Sequence, residues 1–573
     1  MSAGHARDYV GMSVADFHLG EVPDPLREMG RNPENNPWIP PAADRCPVND
    51  LPNELLAHIF TLGSFDFADE DTDVMGNGPD VPLPSPSEEG LQDEEEVGDT
   101  LPFQVLVSHV CVHWRSVGMC TIPQETNPNP DFNPGTDLAI ETPALWTQIN
   151  FAEELPPFTR AMTWLERSKN LPIDIEIDCS LREEETEGST NESNHSENDC
   201  VVTVVEKLIL TLDDVKVILS LISSHIGRWR GLQVEVEEFD YMQLITNTLA
   251  ALPSAPLLEG LQLYHYGEVE EEDYEHFKPA NLRDPFPVLF SGIAPKLTHI
   301  ALWGVHIAWS AEKNTFLCNL KDLELAYHAE DVRPSWADFR QILLTSPELD
   351  TLSLRLSGPG GQPNEWYSDA PIDLVGLKNL VLAYHPAGYI SPLIKHFSMP
   401  NVTSLALDFD SEDFSEFAQE LATPRPGTKK SLLKGLEHLK ISGLPCRDET
   451  VDVIYGQLGN LRSINLKMND DFLSHTFFEK LYRPIPSSSS ATAAFYCPNL
   501  DTLTTSGIDG VDMRLFLERR EKVGIPLKRL FMSEHDDVNI GQEIWFRDQL
   551  EHFELFLPSD EETDDEFDDT DSE

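Results

Sequence analysis

A short apolar pattern, Leu-x-x-Leu-x-Leu with Ile, Val or Met as substitutes, recurs along the central and C-terminal parts of the chain. Its last two apolar positions are separated by the two-residue period of a β-strand, so both side chains point to one face. The first leucine lies where the chain turns into the strand. Each copy therefore predicts a strand with one buried face. The copies begin at Leu258, Leu297, Leu320, Leu349, Leu377, Val402, Leu436 and Leu461, with weaker ones at Leu500 and Leu527 and an opening one at Trp229.

Helix-like stretches separate these predicted strands. Residues 336–344, 414–421, 450–458 and 511–523 carry apolar side chains three and four positions apart, as in a helix with one buried face. A strand followed by a helix in every unit predicts a parallel sheet whose stacked units bury a continuous ladder of side chains.

The spacing of the copies resembles that of leucine-rich repeats, which are about 20–29 residues long. Consecutive copies start 29 residues apart (320 to 349), 28 apart (349 to 377) and 25 apart (377 to 402). The asparagine that usually follows such a strand occurs once, as Asn469, and His328, His385 or Asp410 takes its place elsewhere. The prediction is an irregular, leucine-rich-repeat-like α/β solenoid, and the alternative is a generic α/β domain with coincidental leucine spacing.

Two amphipathic stripes lie near the N-terminus. Asp50 is a suitable N-cap for the first, and Pro52 falls in the first turn, where its missing N–H costs nothing. A helix pair this short cannot bury both stripes internally, so the surplus apolar face needs either the solenoid or a second protein. The stripes consist of Leu51, Leu55, Leu56, Ile59, Phe60 and Leu62 in the first segment, and of Leu106, Val107, Val110, Cys111 and Trp114 in the second.

These segments resemble the F-box, the adaptor-binding module of ubiquitin-ligase substrate receptors. Residues 51–60 spell Leu-Pro-x-Glu-Leu-Leu-x-x-Ile-Phe, and residues 107–115 spell Val-Ser-x-Val-Cys-x-x-Trp-Arg. Downstream, residues 143–149 and 164–172 are similar to elements that follow the F-box in fungal members of the family. The resemblance departs from the family in one respect, because a long acidic spacer separates the two segments.

The resemblance implies a Skp1-like adaptor and a cullin as partners. It also implies, by position, which side chains face the adaptor or closely support that surface. Trp114 is the best single anchor, because a large aromatic side chain contributes the most contact area. The adaptor-binding residues predicted in this way are Leu51, Pro52, Leu55, Ile59, Phe60, Val110, Cys111 and Trp114.

The chain carries a formal net charge of −60, from 100 acidic against 40 basic residues. A surface of this sign repels nucleic acid and anionic membranes and permits a basic partner. The eight cysteines contain no Cys-x-x-Cys spacing, which argues against a zinc site. The N-terminus has no apolar stretch of signal-peptide length, and no run in the chain approaches the roughly 20 apolar residues of a membrane span. We therefore expect a protein of the cytoplasm, the nucleus or both, with no membrane or nucleic-acid partner and no metal or cofactor.

The predicted organisation has five parts. Residues 1–45 form a disordered arm, and 46–120 form the F-box-like module, interrupted at about 64–100 by a disordered insertion with thirteen carboxylates. Residues 121–228 connect to the solenoid at 229–557, and 558–573 form an acidic disordered tail.

Catalytic motifs are missing from the sequence. The Asp408-x-Asp410-x-Glu412 stretch has the wrong residues at the turn and bidentate positions for a calcium loop, and Gly358-Pro359-Gly360-Gly361 lacks a phosphate-binding ending. Aromatic residues at strand ends are instead candidates for target contact: Tyr264, Tyr266, Tyr327 and Tyr384.

The sequence thus predicts a non-enzymatic substrate-recognition subunit of a Skp1–cullin–F-box type ubiquitin ligase. Such a subunit would bind the adaptor through the F-box and an unknown target protein through the repeats. The main alternative is a ligase-independent repeat scaffold for protein–protein interaction, and a hydrolase that uses acidic residues is a third.

Overall fold

A computed structural model describes residues 142–151, 154, 156–179, 210–266, 274–367, 370–410, 412–424, 430–467, 475–485 and 495–557. The predicted arm at 1–45, the F-box-like module at 46–120 with its insertion, and the acidic tail at 558–573 lie outside the described residues. All helices and strands given below belong to one compact unit of the chain, which includes residues 143–573.

The described residues form ten α-helices and sixteen β-strands. The strands are β1 Gln148–Asn150, β2 Ile173–Cys179, β3 Trp229–Val236, β4 Gly260–His265, β5 His299–Trp303, β6 Asp322–Ala326, β7 Thr351–Arg355, β8 Ile372–Asp373, β9 Asn379–Ala383, β10 Phe397–Ser398, β11 Ser404–Asp408, β12 His438–Gly443, β13 Ser463–Lys467, β14 Thr502–Ser506, β15 Arg529–Ser533 and β16 His552–Phe556. The helices are α1 Thr159–Arg167, α2 Leu212–Ser223, α3 Phe239–Ala251, α4 Trp336–Leu344, α5 Ala387–Lys395, α6 Ser415–Ala422, α7 Asp448–Tyr455, α8 His475–Tyr482, α9 Gly510–Lys522 and α10 Ile540–Gln549.

Fourteen of the strands form one parallel sheet in sequence order, β1 to β7, then β9, and then β11 to β16. The short strands β8 and β10 form a separate two-stranded parallel sheet. The predicted mixed α/β fold with a large parallel sheet is confirmed, and each of the four predicted helices overlaps an observed one, α4, α6, α7 or α9.

The sheet begins earlier than the predicted start at residue 229. Strands β1 and β2 and helices α1 and α2 lie in the region 121–228, which the sequence pattern assigned to a connection. Strand β2 has the alternating sequence Ile-Asp-Ile-Glu-Ile-Asp-Cys, whose apolar positions are all buried. It lacks the leading leucine of the repeat, so the pattern did not include it.

The apolar positions of the repeat form two ladders on one face of the sheet. The strand register aligns Leu261, Ile300, Leu323, Leu352 and Leu380 in the first ladder, and the second runs two residues further along each strand. All five side chains are buried. At about 25 cal/mol per Å² of apolar surface, such continuous burial is the main source of stability in a fold of stacked units.

Turn chemistry links consecutive units at the N-terminal ends of the strands. The side-chain amide of Asn401 donates to the carbonyl of Val375, that of Asn460 to Lys434, and that of Asn499 to Gly459. Each asparagine lies just before a strand and satisfies a carbonyl of an earlier turn, so the units share hydrogen bonds as well as apolar contacts.

Two buried arginines tie the units together at helix ends. The Arg228 guanidinium donates to the carbonyls of Leu165 and Lys169 at the C-terminal end of α1. The Arg520 guanidinium donates to the carbonyls of Leu481 and Cys497 and approaches that of Tyr496. Both groups place a positive charge where a helix end exposes unpaired carbonyls.

Candidate binding surface on the open face of the sheet

The face of the sheet opposite the leucine ladders carries the alternate residues of each strand. We call it the open face. The strand register arranges its side chains in three rows, and in β6 these are the positions of Asp322, Glu324 and Ala326. Most open-face residues on the strands are polar or partly exposed, whereas the ladder residues between them are buried.

The row nearest the C-terminal ends of the strands is the chemically distinctive one. From β4 to β11 it contains, in register, Tyr264, Trp303, Ala326, Arg355, Ala383 and Asp408. Large side chains alternate with alanines from β5 onward. The alanines leave space above β6 and β9, and the residues that follow those two strands fill it.

These following residues, Tyr327 and Tyr384, adopt left-handed backbone conformations with φ of 52° and 59°. The same position holds Gly304 after β5 and Leu356 after β7, with φ of 62° and 46°. In each case the backbone N–H donates to the last carbonyl of the next strand in the sheet: Gly304 to Ala326, Tyr327 to Arg355, Leu356 to Ala383 and Tyr384 to Asp408. Because a left-handed residue interrupts the strand alternation, both tyrosines can lie over the open face although they directly follow an open-face residue.

The aromatic rings pack around Trp303. Tyr264 and Tyr266 stack on each other with centroids 6.0 Å apart, and both meet the Trp303 ring edge-on at 5.2 and 6.0 Å. On the other side Tyr327 contacts Trp303 at 5.6 Å and stacks on Tyr384 at 5.9 Å. We call Tyr264, Tyr266, Trp303, Tyr327 and Tyr384 the aromatic patch.

Exposure divides the patch into a core and two outer rings. Trp303 is 3% exposed and Tyr264 is 8% exposed, so their faces are already covered by neighbours. Tyr266 and Tyr384 are 41% and 40% exposed, which leaves ring surface available at both ends of the patch. Exposed aromatic surface supported by packed aromatic neighbours is typical of protein-binding sites.

Charged groups lie against these rings. The Arg355 guanidinium lies over Trp303, 5.7 Å from the ring centroid, and forms an ion pair with Glu324 at 3.5 Å. Burial raises the pKa of Glu324, and Arg355, Ser353 and Trp303 offset only part of this shift. Asp408 acts electrostatically on the Tyr384 hydroxyl, and burial also raises the pKa of Asp408. The patch thus combines aromatic surface with partly buried carboxylates.

All four tyrosines that the sequence suggested for target contact lie together in this patch. The sequence interpretation missed Trp303, Arg355 and Glu324. Trp303 could have been found from the repeat alone, because it directly follows Leu302, just as Tyr264 directly follows Leu263 in the preceding copy. The predicted adaptor-binding residues, Leu51, Pro52, Leu55, Ile59, Phe60, Val110, Cys111 and Trp114, lie outside the described residues.

Two of the histidines that replace the usual asparagine form hydrogen bonds to neighbouring units of the fold. The His328 Nε2 donates to the carbonyl of Val305 at 2.9 Å, and its Nδ1 accepts from the hydroxyl of Ser357 at 2.9 Å. His385 Nε2 donates to the carbonyl of Leu354 at 3.1 Å. Burial lowers the pKa of both imidazoles to about 3, so they are neutral and hold backbone carbonyls of neighbouring units.

Other surface features of the described residues have fewer properties of a binding site. A polar depression at the N-terminal ends of the strands is lined by Glu437, Asn460, Arg462 and Asn499, and its ion pair, Arg462 with Glu437 at 3.6 Å, is exposed. Within the described ranges, no group of three His, Cys, Asp or Glu side chains is arranged to hold a metal ion. None of the helices described above is long and apolar enough to cross a membrane.

No protein-family model matches the chain. No curated protein matches it either.

Proposed function

We propose that this chain is the substrate-recognition subunit of a Skp1–cullin–F-box type ubiquitin ligase. The observation that carries the proposal is the order of two motif halves, residues 51–60 and 107–115, followed by the Pro-x-Leu-Trp-x-x-Ile element at 143–149. The role needs no catalytic group in this chain. The subunit would hold a target near a ubiquitin-charged enzyme and so raise the effective concentration of the target.

The described residues support the receptor part of the proposal in two ways. The parallel sheet with its leucine ladders is built like a leucine-rich-repeat solenoid, in which each unit packs on its neighbours and one strand face stays open to partners. The aromatic patch provides a concentrated binding surface on that face. The free thiols of Cys179, Cys318, Cys446 and Cys497 fit a reducing compartment such as the cytoplasm or nucleus.

The second candidate is a ligase-independent repeat scaffold. The acidic spacer between the motif halves favours it, because thirteen carboxylates between residues 64 and 100 could collide with an adaptor. Chain entropy alone does not decide between the two, since closing a loop costs only about 0.6 kcal/mol more for each doubling of its length.

Capture of the adaptor separates the two candidates. The tagged full-length chain would be co-expressed with a Skp1-like adaptor and purified, in parallel with Leu55→Asp and Trp114→Ala. Matched controls are Leu83→Asp, in the acidic spacer, and Trp38→Ala, in the N-terminal arm. We expect the wild type and both controls to retain the adaptor in equal amounts, and the two test variants to lose most of it.

Two outcomes would count against the proposal. A wild-type chain that captures no adaptor would favour the scaffold. Capture that survives both Leu55→Asp and Trp114→Ala would overturn the assigned surface.

A further inference from the structure

The open face has an uneven distribution of charge. On β2 to β7, the two rows nearer the C-terminal ends of the strands contain four carboxylates, and Arg355 is the one cationic side chain in those rows of these described strands. Further along the sheet, the corresponding rows of β12 and β13 contain Lys440 and Lys467. The four carboxylates belong to Glu176, Asp178, Glu235 and Glu324.

The aromatic patch lies at the C-terminal end of this acidic part. Glu235 and Glu324 act electrostatically on the Tyr264 hydroxyl, and Asp408 acts on the Tyr384 hydroxyl. The Arg355 guanidinium acts on both of these hydroxyls, and Lys440 and Lys467 offset Asp408 at the Tyr384 end of the patch. The surroundings of the Tyr264 end are therefore negative, with Glu235 and Glu324 against Arg355, independently of the net charge of the whole chain.

The chain itself shows which chemical group this environment accepts. The Arg355 guanidinium lies against the Trp303 ring and within ion-pair distance of Glu324. A planar cation between an aromatic face and a carboxylate is the arrangement that cation–π attraction and charge-assisted hydrogen bonding both favour. Tyr266 and Tyr384 offer comparable aromatic surface at the two ends of the patch, where they are exposed.

We propose that the aromatic patch binds an extended, arginine- or lysine-bearing segment of the target protein. This inference rests on the proposed receptor function for the identity of the partner as a target. A cationic side chain of the segment packs on Tyr266, where the neighbouring carboxylates neutralise it, and the exposed ring of Tyr384 adds aromatic contact at the other end of the patch. An acidic segment is repelled here, and so is nucleic acid, because both would add negative charge to a negative surface.

Peptide binding to the full-length chain tests the inference. The probe is a fluorescein-labelled peptide of alternating arginine and serine, with serine–glutamate and serine–glutamine peptides as comparisons, in about 0.15 M salt to screen long-range attraction. The variants Tyr266→Ala and Tyr384→Ala remove ring surface without changing charge. Tyr367→Ala is the matched control, because Tyr367 is 79% exposed and does not belong to the patch.

We expect the arginine peptide to bind the wild type and Tyr367→Ala equally, and each patch variant about threefold to tenfold more weakly. Tyr384→Phe keeps the ring and should retain most of the affinity, which separates loss of the aromatic contact from loss of the hydroxyl group. Unchanged melting temperatures would show that the variants fold. Equal affinity in the patch variants and the wild type would overturn the inference in favour of diffuse attraction to an acidic chain, and stronger binding of the glutamate or glutamine peptide would also overturn it.

Adaptor capture by the same variants keeps the two proposals separate. The patch variants should retain the adaptor, because none of the predicted adaptor-binding residues belongs to the patch. A chain that binds the arginine peptide through the patch but captures no adaptor would support this inference and contradict the ligase proposal, and the converse result would contradict this inference alone.

Discussion

Tyr327 and Tyr384 stack on each other at 5.9 Å although they follow strands that are not neighbours in the sheet. Strand β7 lies between β6 and β9. Both tyrosines are in the left-handed conformation, and each N–H is held by the last carbonyl of the next strand. The stack therefore depends on a backbone feature that recurs at Gly304, Tyr327, Leu356 and Tyr384.

Because of that recurring left-handed position, replacement of two glycines by alanine should change the free energy of unfolding unequally. At Gly304, φ is +62°, and an added Cβ would lie 3.0 Å from Nδ1 of His265 and 3.2 Å from its carbonyl oxygen. Gly304→Ala should therefore lower the free energy of unfolding by about 1–2 kcal/mol. Gly260→Ala is the control, because an added Cβ there meets nothing within 4 Å and φ is not positive.

Urea denaturation of both variants measures the difference. Gly260→Ala should stay within about 0.5 kcal/mol of the wild type. Equal stability of the two variants would show that the strand ends tolerate a side chain in this conformation without strain.

The sequence predicted the strands well wherever the full Leu-x-x-Leu-x-Leu pattern was present. Leu323 and Leu325 in β6, like their counterparts in other copies, occupy the two ladders that the repeat predicts. It failed where an element lacked the full pattern. Strand β2 has strict alternation at Ile173, Ile175 and Ile177 but no leading leucine, so the repeat pattern did not include it.

The candidate site was predictable in its parts but not as an assembly. Tyr264, Tyr327 and Tyr384 were recognisable as aromatic residues at strand ends. That they would meet around Trp303 depends on the register between strands 23 to 39 residues apart (303 to 326, 264 to 303) and on the left-handed turns. A single sequence fixes neither the sign of φ for a tyrosine nor the register of a parallel pair, because both are set by contacts with neighbouring units.

Thr505 interrupts the second leucine ladder, and we expect its replacement by valine to stabilise the fold. It pairs with Leu466 on one side and Met532 on the other, and it is fully buried. Within the described part of the chain its hydroxyl has no hydrogen-bond partner. Thr505→Val keeps the shape and removes the unsatisfied hydroxyl, so it should raise the free energy of unfolding by about 1 kcal/mol.

Thr504→Val is the comparison for this prediction, because Thr504 lies on the open face one residue away. Chemical denaturation of both variants would measure the effect. A loss of stability in Thr505→Val would mean that the hydroxyl finds a partner in solution, such as a buried water.

Replacement of the buried Arg520 should cause a large loss of stability. Its guanidinium is fully buried and donates to the carbonyls of Leu481 and Cys497, and burial lowers its pKa to about 10. Arg520→Met keeps much of the apolar volume but leaves those carbonyls without donors. We expect a loss of about 3 kcal/mol or more.

Arg519→Met provides the control for Arg520, because Arg519 is exposed and lies against the ring of Tyr482 at 5.3 Å. It should cost less than about 1 kcal/mol. Thermal denaturation of the two variants would test the contrast, and similar melting temperatures would contradict the assigned role of the buried guanidinium.

The buried histidines predict a loss of stability at mildly acidic pH. His328 and His385 have pKa values near 3 in the folded chain, lowered by burial, against an ordinary value of 6.5. Below about pH 6.5 the unfolded chain binds protons that the folded chain cannot, so stability present at neutral pH is lost as the pH falls. Between pH 7 and pH 5 each histidine should cost about 2 kcal/mol.

His385→Asn isolates this contribution, because asparagine does not titrate and its shorter side chain loses the Nε2 hydrogen bond to the Leu354 carbonyl at both pH values alike. His475→Asn is the matched control on an exposed position at the start of α8. Urea denaturation at pH 7 and pH 5 should show a difference between the two pH values that is about 2 kcal/mol smaller in His385→Asn than in the wild type. The difference should be unchanged in His475→Asn. If His385→Asn loses as much stability as the wild type on acidification, the imidazole takes up its proton without unfolding, and its neutral state is not what holds the carbonyl.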